Sequence, residues 1–233
     1  MFYFVVLDFS LYPMSSHHFV KDGQEPALII ANGAACRREI LDQLLEWCPF
    51  VLVLDGALQR VLDLGIAFNV ISGDFDSEPN VHDKLKDRPN IEIIHTPDQN
   101  FTDLQKGINI CQMRNYTHIH VLWATGERTD HSLINLDTII RHYPITKIVF
   151  WDNWHKIFAV SSGFKKWYKK DTFISIIPWP FANNVCALNL QWPLNNLPLA
   201  MGKQLSTSNA VAENGFLEIV FDKGNLLLME GIV

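Results

Sequence analysis

Apolar residues fall in short bursts along the chain, each broken by small or acidic residues. Ala27–Ala31 runs into Asn32-Gly33, Phe50–Leu54 into Asp55-Gly56-Ala57, and Asn69–Ser72 into Gly73-Asp74-Phe75-Asp76-Ser77. Ile91–His95 leads to Thr96-Pro97-Asp98-Gln99, and His118–Trp123 to Ala124-Thr125-Gly126-Glu127-Arg128-Thr129-Asp130-His131. Lys147–Trp151 is one more such run. Bursts of this length, bounded by turn residues, predict buried strands. Helical spacing of apolar positions separates most of them, over Arg37–Cys48, Leu58–Leu64, Thr102–Met113 and Ser132–Tyr143. Alternation of strand and helix predicts a mostly parallel sheet with flanking helices, a Rossmann-like α/β layer.

Beyond Trp154 the helical period fades. Short β-type runs take over at Lys156–Ser161, Thr172–Pro178, Val185–Trp192, Phe216–Asp222 and Asn225–Met229, punctuated by glycine and proline. This texture predicts a C-terminal all-β sandwich. The expected division is 1–153 for the α/β unit and 154–233 for the β unit.

Composition narrows the partners. The chain has 233 residues with 48% hydrophobic residues, enough for a packed core. Its 19 basic and 25 acidic residues give a net charge of −6, which argues against a duplex nucleic-acid binder. Cys36, Cys48, Cys111 and Cys186 show no CxxC spacing and lie in apolar segments, as reduced cytoplasmic thiols do. No apolar run is long enough to span a membrane. Met1–Leu7 is apolar without a basic flank and is not read as a signal peptide; Met14 is an alternative start.

The polar clusters follow predicted strands, and in an open parallel sheet such loops share the edge where ligands bind. Helix N-termini point to the same edge and favour anions. Asn32, Asp55, Asp74, Asp76, Asp98, Gln99, Asp103, Arg128 and Asp130 are therefore expected to converge, with His131 beside them. Asp74 and Asp76, two apart in an extended segment, project to one side. A divalent cation held with phosphate oxygens satisfies that spacing, and so does a turn whose carboxylates cap loop amides. Thr102 or Asn100 can cap the helix that follows. Asp103 and Lys106 then share a face, either completing a metal and phosphate site or forming a surface ion pair. Arg128 offers a bidentate fork for phosphate. His118 and His120 face one side of a strand and read as sheet-face residues. Lys165, Lys166, Lys169 and Lys170 read as a solvated hairpin edge. Neither a Walker loop nor a GxGxxG fingerprint is present.

Taken together, the three clusters make the chain resemble the thiamin pyrophosphokinase family, from about Ala27 to Met229. The family's GDxDS appears as Gly73–Ser77, its DQxxTDxxK as Asp98–Lys106, and its GRxDH-like element as Gly126–His131. Leu190-Gln191-Trp192-Pro193-Leu194 and Ser206-Thr207-Ser208-Asn209 resemble its WxL and STSN segments. The resemblance implies transfer of pyrophosphate from ATP to the thiamin hydroxyl, giving thiamin diphosphate and AMP. It implies Mg²⁺ on Asp74, Asp76 and Asp103, and ATP or active-site contacts from Gln99, Thr102, Lys106, Arg128 and Asp130. It places thiamin against Trp192, with Ser206, Ser208 and Asn209 alongside, in a homodimer with active sites at the interface. Asp98 or Asp130 is the expected acceptor of the hydroxyl proton. Glu127 departs from the second glycine of many members, and Ala210 from the Glu common in bacterial ones. The rival readings are a metal-dependent nucleotide phosphohydrolase and a non-catalytic thiamin- or nucleotide-binding protein.

Overall fold

A computed structural model describes residues 25–48, 50–76 and 78–232. The expectations for Met1–Leu7, Met14 and Ser77 lie outside the described residues. In the first half, strands β1 (Ala27–Ile30), β2 (Phe50–Leu54), β3 (Val70–Gly73), β4 (Glu92–His95), β5 (His118–Leu122) and β6 (Lys147–Trp151) alternate with helices. Those helices are α1 (Arg38–Trp47), α2 (Leu58–Asp63), α3 (Val81–Leu85), α4 (Asp103–Met113) and α5 (Thr129–His142). The strands pair in parallel in the order β4-β3-β2-β1-β5-β6. The burial pattern explains the arrangement. Ala27 and Ile29 pack into one apolar cluster and Leu28 and Ile30 into another, so β1 is covered on both faces, as a central parallel strand must be.

The strand order fixes where a ligand can sit. From β1 the chain steps outward through β2, β3 and β4, then returns to the other side of β1 as β5. At that reversal α1 packs on one face of the sheet and α5 on the other, which places a crevice at the C-terminal edge.

From β7 (His155–Val160) onward, pairing is antiparallel. β7 hydrogen-bonds to β6, so one continuous sheet path runs from β4 into the C-terminal region. The remaining strands are β8 (Phe164–Tyr168), β9 (Phe173–Leu188), β10 (Leu194–Ala200), β11 (Ser206–Ala210), β12 (Gly215–Val220) and β13 (Gly224–Gly231). A third apolar cluster, including Ile174, Val185, Leu217 and Leu228, fills this region. Two expected strands, Thr172–Pro178 and Val185–Trp192, fuse into the 16-residue β9. The prolines there mark a change of partner: β9 pairs with β11 and β13 before the Pro178–Pro180 segment, and chiefly with β10 and β12 after it. Among the described residues, no helix is long and apolar enough to cross a membrane.

Two side-chain expectations on this sheet resolve differently. His120 accepts a hydrogen bond from the Trp151 indole (2.8 Å), and burial pushes its imidazole down to about 4, so it is a neutral sheet-face residue. Lys165 pairs with Glu218 at the exposed edge, but Lys166 does not stay in solvent. It turns inward and donates to both carboxylate oxygens of buried Glu230 (2.7 and 2.8 Å), which also accepts from the Tyr168 hydroxyl. Glu230→Ala strands that ammonium and hydroxyl. The expected loss is about 3 kcal/mol of unfolding free energy, the range for breaking a buried ion pair. Denaturant melts that leave the midpoint unchanged contradict this.

Candidate active site

The loops at the C-terminal edge of the parallel strands enclose a cleft of about 580 Å³. Its floor is the reversal between β1 and β5, sewn shut by backbone. Ala31, Gly33 and Ala34 donate to the carbonyls of Leu122, Trp123 and Thr125 at 3.0, 2.6 and 2.9 Å. Glycine is required at this seam: a Cβ on Gly33 would stand 2.5 Å from the Thr125 carbonyl oxygen. Asn135 on α5 fixes the same loop by donating to the Ala124 carbonyl at 2.8 Å.

The acidic wall is built on β2 and β3. Asp55, only 5% exposed, accepts from the backbone of Gly56 (2.7 Å) and Phe75 (3.0 Å), tying the end of β2 to the Gly73–Asp76 turn. Burial pushes its carboxyl up, and the Asp103 and Asp74 charges add to that against the pull of the two amides. Asp74 accepts from the Gln99 amide at 2.8 Å and from the Asp76 backbone at 3.1 Å. Those two donors, with the more distant Lys106 charge, hold its carboxyl below the usual range.

The opposite wall is the start of α4. Thr102 closes a capping box with Gln105: its hydroxyl accepts from the Gln105 amide while the Gln105 side chain accepts from the Thr102 amide. Asn100, the other capping candidate, lies outside the cap. Lys106, 7% exposed, directs its ammonium to the carbonyls of Thr96 (2.8 Å) and Asp98 (3.3 Å) and to the Asp103 carboxylate (2.8 Å). An ammonium has three donors, and these three acceptors match them.

The cationic rim follows β5. Helix α5 begins at Thr129, three residues before the predicted Ser132. Asp130 therefore lies in its first turn. There it grips Arg128 by two bonds, Nε to Oδ1 at 3.1 Å and Nη2 to Oδ2 at 2.5 Å. This pairing holds the Asp130 carboxyl down at about 2.

Asn32, Asp55, Asp74, Asp76, Gln99, Thr102, Asp103, Lys106, Arg128 and His131 all line this one cleft. Asp98 and Asp130 stand behind it, each bonded to a lining residue through Lys106 or Arg128. Sequence reasoning did not single out Trp123, Asn135 or Arg60; only the local Gly126 signal pointed toward the loop they support. The carboxylates share the cleft without closing on one point: among the described residues, no group of three His, Cys, Asp or Glu side chains is gathered at metal-binding distance. The donor set is nonetheless all hard oxygen, and Asp55 feels the Asp74 and Asp103 charges. Such a set fits Mg²⁺ better than a soft metal.

Trp192, Ser206, Ser208 and Asn209 form a separate cluster that does not line the cleft in a single chain. Buried Asn209 brackets the Trp192 backbone, accepting from its amide (3.1 Å) and donating to its carbonyl (2.7 Å). Ser206 is buried beside it, and the Ser208 amide donates to Ser175. The Trp192 ring is 62% exposed, which excludes a core role and leaves a face open for stacking.

Residues 41–151 match the family model "Thiamin pyrophosphokinase, catalytic domain", and residues 163–226 match "Thiamin pyrophosphokinase, vitamin B1 binding domain". Thiamin pyrophosphokinase 1 of Caenorhabditis elegans is 30% identical over 185 residues, covering 73% of this chain and 74% of the relative. Yeast thiamin pyrophosphokinase shares the fold with a TM-score of 0.77 at 17% identity, covering 92% of this chain and 88% of its own. The Bacillus subtilis enzyme does so with a TM-score of 0.73 at 24% identity, covering 89% and 99%. The structural likenesses carry the fold, while the nematode relative and the paired family matches carry more: the chain belongs to the thiamin pyrophosphokinase family.

Proposed function

We propose that the chain transfers pyrophosphate from ATP to thiamin, with the cleft as the nucleotide site and the Trp192 cluster as the thiamin site. The observation that carries this reading is the convergence of ten sequence-predicted residues from five loops on one cleft at the sheet reversal. Thiamin pyrophosphokinases use ATP as co-substrate. The thiamin hydroxyl oxygen bonds to the β-phosphorus, the bond from that phosphorus to the α-phosphate bridging oxygen breaks, AMP leaves and the hydroxyl proton is released.

Such transfers depend on positioning and on stabilising spread charge. Asp74, Asp76 and Asp103 are the residues that would hold Mg²⁺, which when bound neutralises phosphate oxygens. Arg128, held by Asp130 through Nε and Nη2, would meet the phosphates with its remaining Nη1 end. Gln99 holds Asp74 in place, and Thr102 fixes the helix start that carries Asp103. Lys106 fixes Asp103 and the loop before it. Asp130, acidified by Arg128, is a poor proton acceptor, so Asp98 is the better candidate for the hydroxyl proton.

The single chain keeps cleft and Trp192 cluster apart, which supports a homodimer in which the partner completes each site. An apolar recess between α5 and β9, lined by Leu133, Ile134, Trp179 and Met201, is a surface suited to such pairing. The same separation supports a division of 1–153 for the nucleotide and 154–233 for thiamin. All four cysteines are free, in keeping with a reducing cytoplasmic setting.

Incubating the protein with ATP, Mg²⁺ and thiamin tests the proposal: AMP and thiamin diphosphate should form in equal amounts. Nucleotide turnover without thiamin, or binding without AMP, contradicts it. Thiamin is a flat cation, and stacking on Trp192 is worth about 0.5–2 kcal/mol. Trp192→Ala should raise the KM for thiamin about three- to thirtyfold and leave the KM for ATP within twofold. An unchanged thiamin KM removes Trp192 from the site.

A further inference from the structure

Glu127 is a liability in a cleft meant for phosphates. It lines the cleft, its side chain is 57% exposed, and its backbone sits at φ 55°, the left-handed region that disfavours side chains. Its neighbour Gly126 is also left-handed, at φ 84°, and a Cβ there would stand 2.5 Å from the Ala34 Cβ. The loop is thus pressed against the loop after β1, and the Glu127 it carries lines the cleft.

Arg60 answers that carboxylate from α2. One guanidinium nitrogen lies 3.6 Å from the Glu127 carboxylate, and the other terminal nitrogen donates to the Gly33 carbonyl at 2.7 Å. The guanidinium carbon lies 4.9 Å from the centre of the buried Trp123 ring. Arg60 therefore touches both loops of the sheet reversal at once. Arg128, the adjacent cation, is committed to Asp130 and does not share the task.

We propose that Arg60 is a positioning residue that acts through Glu127: it cancels a negative charge that otherwise faces the ATP phosphates, and ties the two loops together behind them. The inference rests on the reading of the cleft as the ATP site. It differs from a packing role because its main effect is electrostatic. Removing Arg60 leaves Glu127 uncompensated, and removing both charges together restores binding.

The test is a set of variants assayed with saturating thiamin and Mg²⁺. Arg60→Gln drops the charge and, being shorter, the bond to Gly33; it should raise the KM for ATP about three- to tenfold, leave the KM for thiamin within twofold, and show a smaller rise at 0.5 M KCl. Arg60→Gln/Glu127→Gln should return most of that KM, which a packing defect at Arg60 would not do. Glu127→Gln alone should lower the KM for ATP about twofold, and this variant decides the matter if Arg60→Gln does not fold. An unchanged KM in Arg60→Gln, failure of the double variant to recover it, or a raised KM in Glu127→Gln overturns the proposal while leaving the reaction intact. Absence of AMP formation by the wild-type chain overturns the reading of the cleft and this proposal with it.

Discussion

Asp74→Asn should cut thiamin-dependent AMP formation by about 10²–10³-fold while the protein melts at its normal temperature. The substitution is nearly isosteric. The remaining side-chain oxygen can still accept from the Asp76 backbone, and the Gln99 amide can reverse to meet the new amide. The turn at the end of β3 therefore keeps its bonds, and Asp74 is exposed enough for the change to cost little packing. What disappears is the charge. Gln99 and the Asp76 amide hold this carboxyl below its usual range, so it is ionised throughout the working pH range and available to a cation. Losing one preorganised electrostatic partner of a transferring phosphate typically removes about 2.7–4 kcal/mol of transition-state stabilisation. Initial rates with Mg²⁺ and a thermal melt on the same sample separate chemistry from folding. Near-normal turnover removes Asp74 from the mechanism.

Gly73→Ala should be as damaging by a different route. Gly73 ends β3, and a Cβ there would overlap the Asp55 carboxylate. That carboxylate cannot step aside cheaply, because it is buried and holds the amides of Gly56 and Phe75. Displacing it leaves two amides without their acceptor and lets the Asp74–Asp76 turn drift from its place beside Gln99. Overpacking of this kind costs about 1–3 kcal/mol. For a chain of this size, at about 2–4 °C per kcal/mol, that is about 2–12 °C in melting temperature. Activity should fall at least 100-fold, because catalysis is more sensitive to placement than folding is. Because the Asp55 Cβ itself would stand 2.5 Å from the new methyl, Asp55→Gly is the change that removes the clash; added to Gly73→Ala it should recover part of the melting temperature but none of the activity. A wild-type melt and rate for Gly73→Ala contradicts the close approach.

The parallel half of the fold was legible because its signal is local. Leu28 and Ile30 on one face and Ala27 and Ile29 on the other give β1 away as doubly buried, and each strand ends in a recognisable polar cluster. The C-terminal half was harder. β10 and β11 lack alternation, since Leu194–Ala200 and Ser206–Ala210 carry bulges against β9. Glycine and proline punctuation, which usually ends a strand, here marks where one long strand changes partners. In the site, motif spacing named the lining residues but not their connections. That Asp55 binds the Phe75 amide, that Lys106 is buried against loop carbonyls, and that Arg60 reaches Gly33 and Glu127 are contacts between segments far apart in the chain. No local pattern encodes them.

The proposed reaction requires that carboxylates from separate loops of the cleft share one divalent ion with the nucleotide. Titrating Mn²⁺ into the protein with a non-hydrolysable ATP analogue, and following bound metal by electron paramagnetic resonance, tests it most directly. The wild-type chain should bind Mn²⁺ in an analogue-dependent manner, and Asp74→Asn should lose that binding by tenfold or more. Equal Mn²⁺ binding by the two proteins would contradict the account.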